Sequence, residues 1–363
     1  MISLLSLIDH EHLDVYLSIV RRGGSLEKDI PPWVKLLPFP EPCKAYRFIS
    51  NVMFSAALRF IALVGIKIHG AEIGWLCKRP FYPASKGYFD IAIAYQQGFP
   101  TYYVADNVHA EKKYAWINTD LKNAGYRVRY NRPFYDKMTK VFAVSQALCE
   151  MLPTTGFVDK TKLSLVKDVL NVNLIRELST ASIDFSFSQS RLKLLTIGRL
   201  VPPKNYPLAV ETAQRLHEKG FDFEWVFIGD GPDRDSIEEK IKTFNLEDRI
   251  LLAGQQTNPY PYFALCDIYV QTSSFEGFGL TLSEAKILHK PIVTTNFPSA
   301  FDQIIDGENG LIAEMTPESV ADKIISIVDN PALKNQLIEN NKKEENQTAK
   351  TESEKVNQLL LED

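Results

Sequence analysis

From residue 89 to residue 314 short apolar runs of strand length alternate with segments of helical spacing, and this alternation constrains the fold more than any other feature. Strands are expected at 89–95, 112–118, 140–145 and 163–169, then at 193–198, 224–229, 249–254, 267–272, 291–296 and 310–314. Helices are expected between the later strands at about 206–219, 233–244, 259–265, 281–289 and 299–305; Ile237, Ile241 and Phe244 recur at helical spacing in the second of these. Parallel neighbours need a crossover of about a dozen residues, usually a helix, so strict alternation predicts parallel, doubly wound sheets of the α/β class. The polar stretch 180–190, rich in Ser and Thr, reads as a linker. It divides the chain into domains at 1–185 and 186–345, followed by a helical tail at 346–363.

A length of 363 residues suits two domains of ordinary size. The 45% hydrophobic and 24% charged composition is that of a soluble globular protein. A net charge of −4 argues against a nucleic-acid binder, which would carry a marked basic excess. The cysteines at 43, 77, 149 and 266 are scattered, with no C-x-x-C and no histidine at ligand spacing. That argues against a disulfide framework or a zinc site and fits a cytoplasmic setting. No signal peptide is read at the start, because the apolar run 1–8 is short and passes straight into Asp9-His10-Glu11.

The first third departs from the pattern of an α/β domain. Such a domain opens with a strand and a glycine-rich turn. Here residues 1–8 read as the tail of a helix, 13–20 as a buried strand, 22–25 as a turn and 33–39 as a further strand. The first strand and glycine-rich loop are therefore expected to be missing, leaving an exposed sheet edge. A helix is expected at about 46–65, with Arg47, Asn51, Ser55 and Arg59 forming a narrow polar stripe on an apolar cylinder. Arg59 lies inside the apolar run 48–66, and a central arginine costs about 2.5–3.5 kcal/mol on insertion, so the run is not expected to span a membrane. Between residues 43 and 79 the basic residues 44, 47, 59, 67, 78 and 79 face one acid, Glu72. Two readings stand: a core helix with a solvated edge, or a basic, apolar surface at 44–79 that meets anionic lipid or a lipid-linked molecule.

Ligands of open α/β sheets sit at the carboxyl ends of the strands, and the unusual residues of this chain stand there. Strand 193–198 ends in Gly198-Arg199, with Lys204 beyond Pro202-Pro203, Asn205 placed to cap the next helix and Pro207 suited to its first turn. Strand 224–229 ends in Gly229-Asp230-Gly231-Pro232, which is turn chemistry. Strand 249–254 ends in Gly254-Gln255-Gln256, then Asn258, whose amides suit a base edge or simply make a polar loop. Strand 267–272 leads into Glu276-Gly277-Phe278-Gly279-Leu280-Thr281, with Glu284 in the first turn of the following helix. Glycines let backbone approach a ligand, a helix N-terminus seats phosphate, and carboxylates take sugar or ribose hydroxyls.

The order and spacing of Gly198-Arg199, Lys204, Gly229-Asp230-Gly231-Pro232, Glu276-Gly277-Phe278-Gly279, Glu284 and Asp306-Gly307-Glu308-Asn309-Gly310 resemble the carboxyl-terminal domain of retaining glycosyltransferases of the GT4 family. More loosely, 89–95 with 113–120 resembles the family's acceptor domain, and 166–177 its interdomain region. The resemblance implies a GT-B fold, two Rossmann-like doubly wound domains facing each other across a cleft. It implies metal-independent, retaining transfer from a nucleoside-diphosphate sugar, UDP favoured over GDP, to a growing glycan or lipid-linked acceptor. Arg199 and Lys204 would hold the diphosphate, Glu284 the ribose, and Glu276 with the amides of Gly277, Phe278, Gly279, Leu280 and Thr281 the donor sugar and phosphates. Gly198, Gly229, Gly231 and Gln255 complete the donor site, and Glu276, Arg199 and Lys204 would carry catalysis without a metal or other cofactor. On the acceptor side Asn118 stands where many relatives have a histidine, while His109 reads as a surface residue. The implied role is surface polysaccharide synthesis, capsule or lipopolysaccharide, in the cytoplasm or on the inner face of the membrane. The alternative is a catalytically impaired nucleotide-sugar-binding partner of another glycosyltransferase.

Overall fold

The computed structural model describes residues 1–361 apart from 21, 25, 26, 66, 67 and 189, and leaves aside the side chains of 344–351 and 353. Ser25 of the expected turn, the basic Lys67, Gln189 of the expected linker and the last two residues of the tail lie outside the described residues. The chain forms two compact units, Met1–Asp168 with Glu352–Asp363, and Val169–Thr351.

In the first unit β1 (Tyr16–Ser18) and β2 (Lys35–Leu37) pair in parallel as a small sheet of their own. The expected strand 13–20 is therefore much shorter than predicted and is not buried. A two-stranded piece has no second layer to cover it, and Tyr16 and Val20 are exposed. The main sheet of this unit is parallel and runs in chain order: β3 (Phe89–Ala94), β4 (Ala110–Ile117), β5 (Lys140–Ala143) and β6 (Leu163–Leu165). The central strands β4 and β5 bury the apolar runs Tyr114 to Ile117 and Val141 to Ala143, whereas the edge strand β3 exposes Asp90 and Ile93. The Tyr16 ring meets Phe89 at 6.0 Å and brings β1 to the start of β3.

The predicted helix forms at Lys44–Val64 and ends on Gly65 in the left-handed region at φ 70°. The reading of it as a core helix does not hold. Only Ser50 is fully buried, and the partly covered Phe54, Ala57 and Ile61 complete a single stripe. Beside it lies the Gly70–Lys78 helix, whose Gly74 and Lys78 stand against the Phe54 ring. That second helix is anchored by Glu72, which has no solvent exposure. Its carboxylate accepts from Arg127 Nε at 2.6 Å, the Arg127 backbone N–H at 2.7 Å and Asn131 Nδ2 at 2.6 Å.

The second unit holds a six-stranded parallel sheet in the order β9-β8-β7-β10-β11-β12, the doubly wound arrangement that alternation predicts. Its strands are β7 (Leu192–Ile197), β8 (Phe223–Ile228), β9 (Ile250–Gly254), β10 (Ile268–Gln271), β11 (Ile292–Thr295) and β12 (Leu311–Ala313). Successive side chains point to opposite faces. Leu194, Trp225, Phe227 and Val270 thus enter one core, while Leu195, Val226, Ile228 and Tyr269 enter the other. Where a helix was expected at 299–305, a 3-10 turn forms at Pro298–Asp302.

Two domain limits differ from expectation. The boundary falls at 168/169, because Ile183, Phe185 and Phe187 pack against the Tyr262 side of the second unit's core, so 169–185 folds with that unit. The stretch at 346–361 is no separate tail but the end of the Pro331–Leu361 helix. From Glu352 onward it joins the first unit, where Val356 is buried and Asn357 donates to the Leu7 carbonyl at 3.0 Å. The buried Glu72 gives a direct test. Glu72→Ala leaves Arg127 free to hydrate but strips one N–H of the buried Asn131 amide of its partner, the other going to the Arg127 carbonyl, so equilibrium urea unfolding is expected to show a loss of about 3 kcal/mol.

Candidate functional site

In a doubly wound sheet the connections leave in opposite directions from two adjacent strands, and a crevice opens at their carboxyl ends. In the second unit these strands are β7 and β10. The loop after β7 passes Gly198 and Arg199 into a 3-10 turn at Pro202–Lys204, and the loop after β10 carries Ser273 to Gly279. Asn205 stands at the N-cap of the Tyr206–Glu218 helix but does not cap it with its side chain. It serves instead through a left-handed backbone at φ 49°, with Pro207 in the first turn as expected.

The two loops meet through charge. Glu276 Oε1 accepts from Lys204 Nζ at 2.5 Å, from Ser273 Oγ at 2.6 Å and from Gln271 Nε2 at 3.0 Å. Among the described residues Oε2 carries no hydrogen bond. The Lys204 stem lies against Gly198, where a Cβ would come within 3.0 Å of it. Arg199 is exposed and makes no ion pair among the described residues.

Glycines 229 and 231 hold the β8 loop on the β7 loop, backbone against backbone. Gly229 sits at φ 141°, and a Cβ there would lie 1.9 Å from the Gly198 carbonyl oxygen; one on Gly231 would lie 2.2 Å from that of Leu200. Their first task is therefore this close packing.

Gly279, at φ 91°, is the N-cap of the Leu280–Ile287 helix and provides no side-chain cap; the Leu282 N–H donates to the Gly279 carbonyl at 2.9 Å, while those of Leu280 and Thr281 make no hydrogen bond among the described residues. The Phe278 side chain is buried, and its carbonyl is taken by Gln303. Thr281 turns its hydroxyl inward and donates to Gln271 Oε1 at 2.8 Å. Glu284 lies one turn on and accepts from the Tyr260 hydroxyl at 3.1 Å. Burial pushes the Glu284 carboxyl up to about 7, against the downward pull of the Tyr260 hydrogen bond and of Lys204.

Two buried glutamines that sequence reasoning passed over shape this loop. Gln271, the last residue of β10, takes Tyr269 and Thr281 hydroxyls on its oxygen and gives its amide to Glu276. Gln303 donates to the Phe278 carbonyl at 2.5 Å and takes the Ser283 hydroxyl at 2.5 Å. The available signal for Gln271 was an amide closing an otherwise apolar strand.

With this geometry in place, comparison with known proteins is informative. Residues 182–344 match the family model described as glycosyl transferases group 1. This segment is similar to a group 1 glycosyltransferase domain. A Campylobacter jejuni relative, N-acetylgalactosamine-N,N'-diacetylbacillosaminyl-diphospho-undecaprenol 4-alpha-N-acetylgalactosaminyltransferase, is 35% identical over 127 residues, 35% of this chain and 34% of that one. The poly(ribitol-phosphate) alpha-N-acetylglucosaminyltransferase of Staphylococcus aureus is 35% identical over 141 residues, 38% of this chain and 28% of that one. The chain thus spans about a third of the length of these curated relatives. The Anabaena protein HepE, crystallised with UDP and glucose, matches 99% of this chain and 95% of its own at TM-score 0.71 and 16% identity. The fold is GT-B.

Within the matched segment Gly198, Lys204, Gly229, Gly231, Glu276, Gly279, Thr281 and Glu284 gather at the carboxyl edge of the sheet. Gln255 is exposed after β9, while Asn258 is occupied by the Leu178 carbonyl at 2.8 Å and is not free to read a base. Asn118 belongs to the first unit, at the end of β4. Its N–H donates to Gln97 Oε1 at 3.1 Å, and its own Oδ1 is buried without a hydrogen-bond partner among the described residues. His109 is exposed, as expected.

Glu284 makes the stability of this domain pH-dependent in a defined direction. A carboxyl raised from 4.5 to about 7 holds its proton more tightly when folded, so it penalises the fold as pH rises through that window. Glu284→Gln is expected to remove the penalty. Its unfolding free energy relative to wild type should rise by up to about 3 kcal/mol between pH 4.5 and 8, followed by chemical denaturation at each pH.

Proposed function

We propose that the chain is a retaining, metal-independent glycosyltransferase that moves a sugar from a UDP-sugar to a growing glycan or lipid-linked saccharide. One observation carries this reading: Lys204, Glu276 and an uncapped helix N-terminus converge where the sheet reverses its winding. In the proposed complex the diphosphate lies over the N-terminus of the Leu280–Ile287 helix and takes Lys204 and the unpaired Arg199. Negative charge grows on the β-phosphate as the glycosidic bond breaks, and two cations with a helix dipole stabilise it without a metal. Glu276, held by one oxygen, offers the other to the donor sugar. Glu284 accepts the ribose hydroxyls, which requires its ionised form, and exposed Gln255 reaches the base. Asn118 would meet the acceptor side, where its unmatched Oδ1 has a hydrogen bond to offer.

The names of the relatives support the substrate class. One acts on a diphospho-undecaprenol-linked saccharide, another on a poly(ribitol-phosphate), and HepE was crystallised with UDP. On this reading the product is bacterial surface polysaccharide, of the capsule or lipopolysaccharide kind. The enzyme works in the cytoplasm, peripheral to the inner face of the membrane, through the basic region 44–79.

A second reading, a partner subunit that binds nucleotide-sugar without turnover, draws on Asn118 in place of an ionisable side chain. The purified chain with UDP-sugars and a cell extract as acceptor source separates the two. UDP release with sugar incorporation supports the enzyme, while thermal stabilisation by UDP without transfer supports the partner. In the enzyme, Glu276→Ala is expected to abolish transfer and Lys204→Ala to lower kcat by about 10²- to 10³-fold. Glu284→Ala should mainly weaken UDP binding, about 10- to 100-fold by calorimetry at pH 8. An active Glu276→Ala variant would overturn the assignment.

A further inference from the structure

The Lys44–Val64 helix leaves a long apolar surface in solvent. It is 21 residues long, with a mean hydropathy of 1.5 over its most apolar window, and 6% of that window is buried. At 100° per residue, Ser50, Phe54, Ala57 and Ile61 form the one stripe that meets protein. A second face carries Ile49, Val52, Met53, Ala56, Phe60 and Leu63, of which Phe60 is 62% and Leu63 86% exposed. The third carries Arg47, Asn51, Ser55 and Arg59, with Phe48 71% exposed beside it. An open trough of about 500 Å³ runs along Phe48, Asn51, Val52, Ser55, Ala56 and Arg59, apolar on one wall and polar on the other.

Charge selects the occupant. Arg47 is held by Glu41 at 2.9 Å and Arg79 by Asp106 at 2.9 Å, whereas Lys44 and Arg59 have no ion pair among the described residues. The single acid between 43 and 79, Glu72, is buried and neutralised by Arg127. The helix therefore presents apolar side chains rimmed by uncompensated positive charge. A second copy of the same face would set like charges against each other, while anionic lipid matches both features. Crossing the bilayer would require the helix to leave the Gly70–Lys78 helix, which the Glu72 ion pair ties down, and would place Arg59 in hydrocarbon. Lying in the plane keeps every contact.

We propose that the Lys44–Val64 helix docks flat on an anionic bilayer. Ile49, Val52, Met53, Phe60 and Leu63 enter the acyl boundary, and Lys44 and Arg59 meet headgroup phosphates. The proposal deepens, and rests on, the reading of a membrane-borne acceptor.

Flotation of the full chain with vesicles of phosphatidylcholine and phosphatidylglycerol tests it. Binding at 3:1 composition is expected, at least ten-fold weaker on phosphatidylcholine alone. Phe60→Ser with Leu63→Ser should abolish binding to both, and Lys44→Glu with Arg59→Glu should remove only the anionic preference. UDP-induced thermal stabilisation of each variant shows that it is folded and reads the donor site separately. If UDP stabilises the wild type but vesicles do not bind it, the docking proposal falls and the donor reading stands. If vesicles bind and UDP does not, the reverse holds. Equal binding to neutral vesicles, resistance to alkaline carbonate extraction, or a dimer in solution that Leu63→Ser dissociates would each overturn the docking proposal.

Discussion

The second unit depends on a contact between opposite charges, Lys204 on the loop after β7 and Glu276 on the loop after β10. Both groups are largely buried, and burying either one alone would cost several kcal/mol. Joined, they draw two loops together that lie 72 residues apart in the chain, and they do so where the sheet reverses direction. The surrounding polar groups serve this pair. Ser273 and Gln271 complete the shell of one carboxylate oxygen, and Gln303 holds the carbonyls of the loop that follows. The outcome is a rim with one carboxylate oxygen that carries no hydrogen bond among the described residues, one exposed cation in Arg199 and a helix N-terminus without a side-chain cap. On the proposed reading such an arrangement suits a diphosphate, because the positive groups are in place before charge develops.

The first unit solves a different problem. Its ionic core around Glu72 is fully satisfied by Arg127 and Asn131, whereas the neighbouring helix leaves large apolar side chains in solvent. These two facts belong together: the buried ion pair fixes the Gly70–Lys78 helix, and that helix fixes one stripe of its exposed neighbour. Contiguous exposed apolar side chains of this kind are the observation from which the docking proposal starts.

Much of this was legible in the chain. Every expected strand from 89 to 314 forms within a few residues of its predicted limits, because β-branched and apolar runs punctuated by Gly, Pro and Asn leave little choice of element. The candidate site was legible for the same reason: glycines and charges cluster at strand ends, and topology makes strand ends into clefts. Less legible were single residues whose importance is relational. Gln271 and Gln303 look like any amide until Glu276 and the carbonyl of Phe278 are seen beside them. The burial of the Lys44–Val64 helix was equally opaque, since a core helix and an interfacial helix share the same apolar count.

By itself the amino-acid order determined the alternation of elements, the doubly wound sheet of residues 192–313 and the identity of the residues at its carboxyl edge. These follow from local periodicity and from the need of parallel strands for crossovers. Only tertiary structure decided which side of each residue meets water. It exposed the short β1, ran the last helix back onto the first unit, desolvated Glu284 so that its carboxyl is pushed up to about 7, and left Phe60 and Leu63 in the open. The physical reason is that burial depends on what arrives from elsewhere in the chain, and no window of sequence contains its own neighbours.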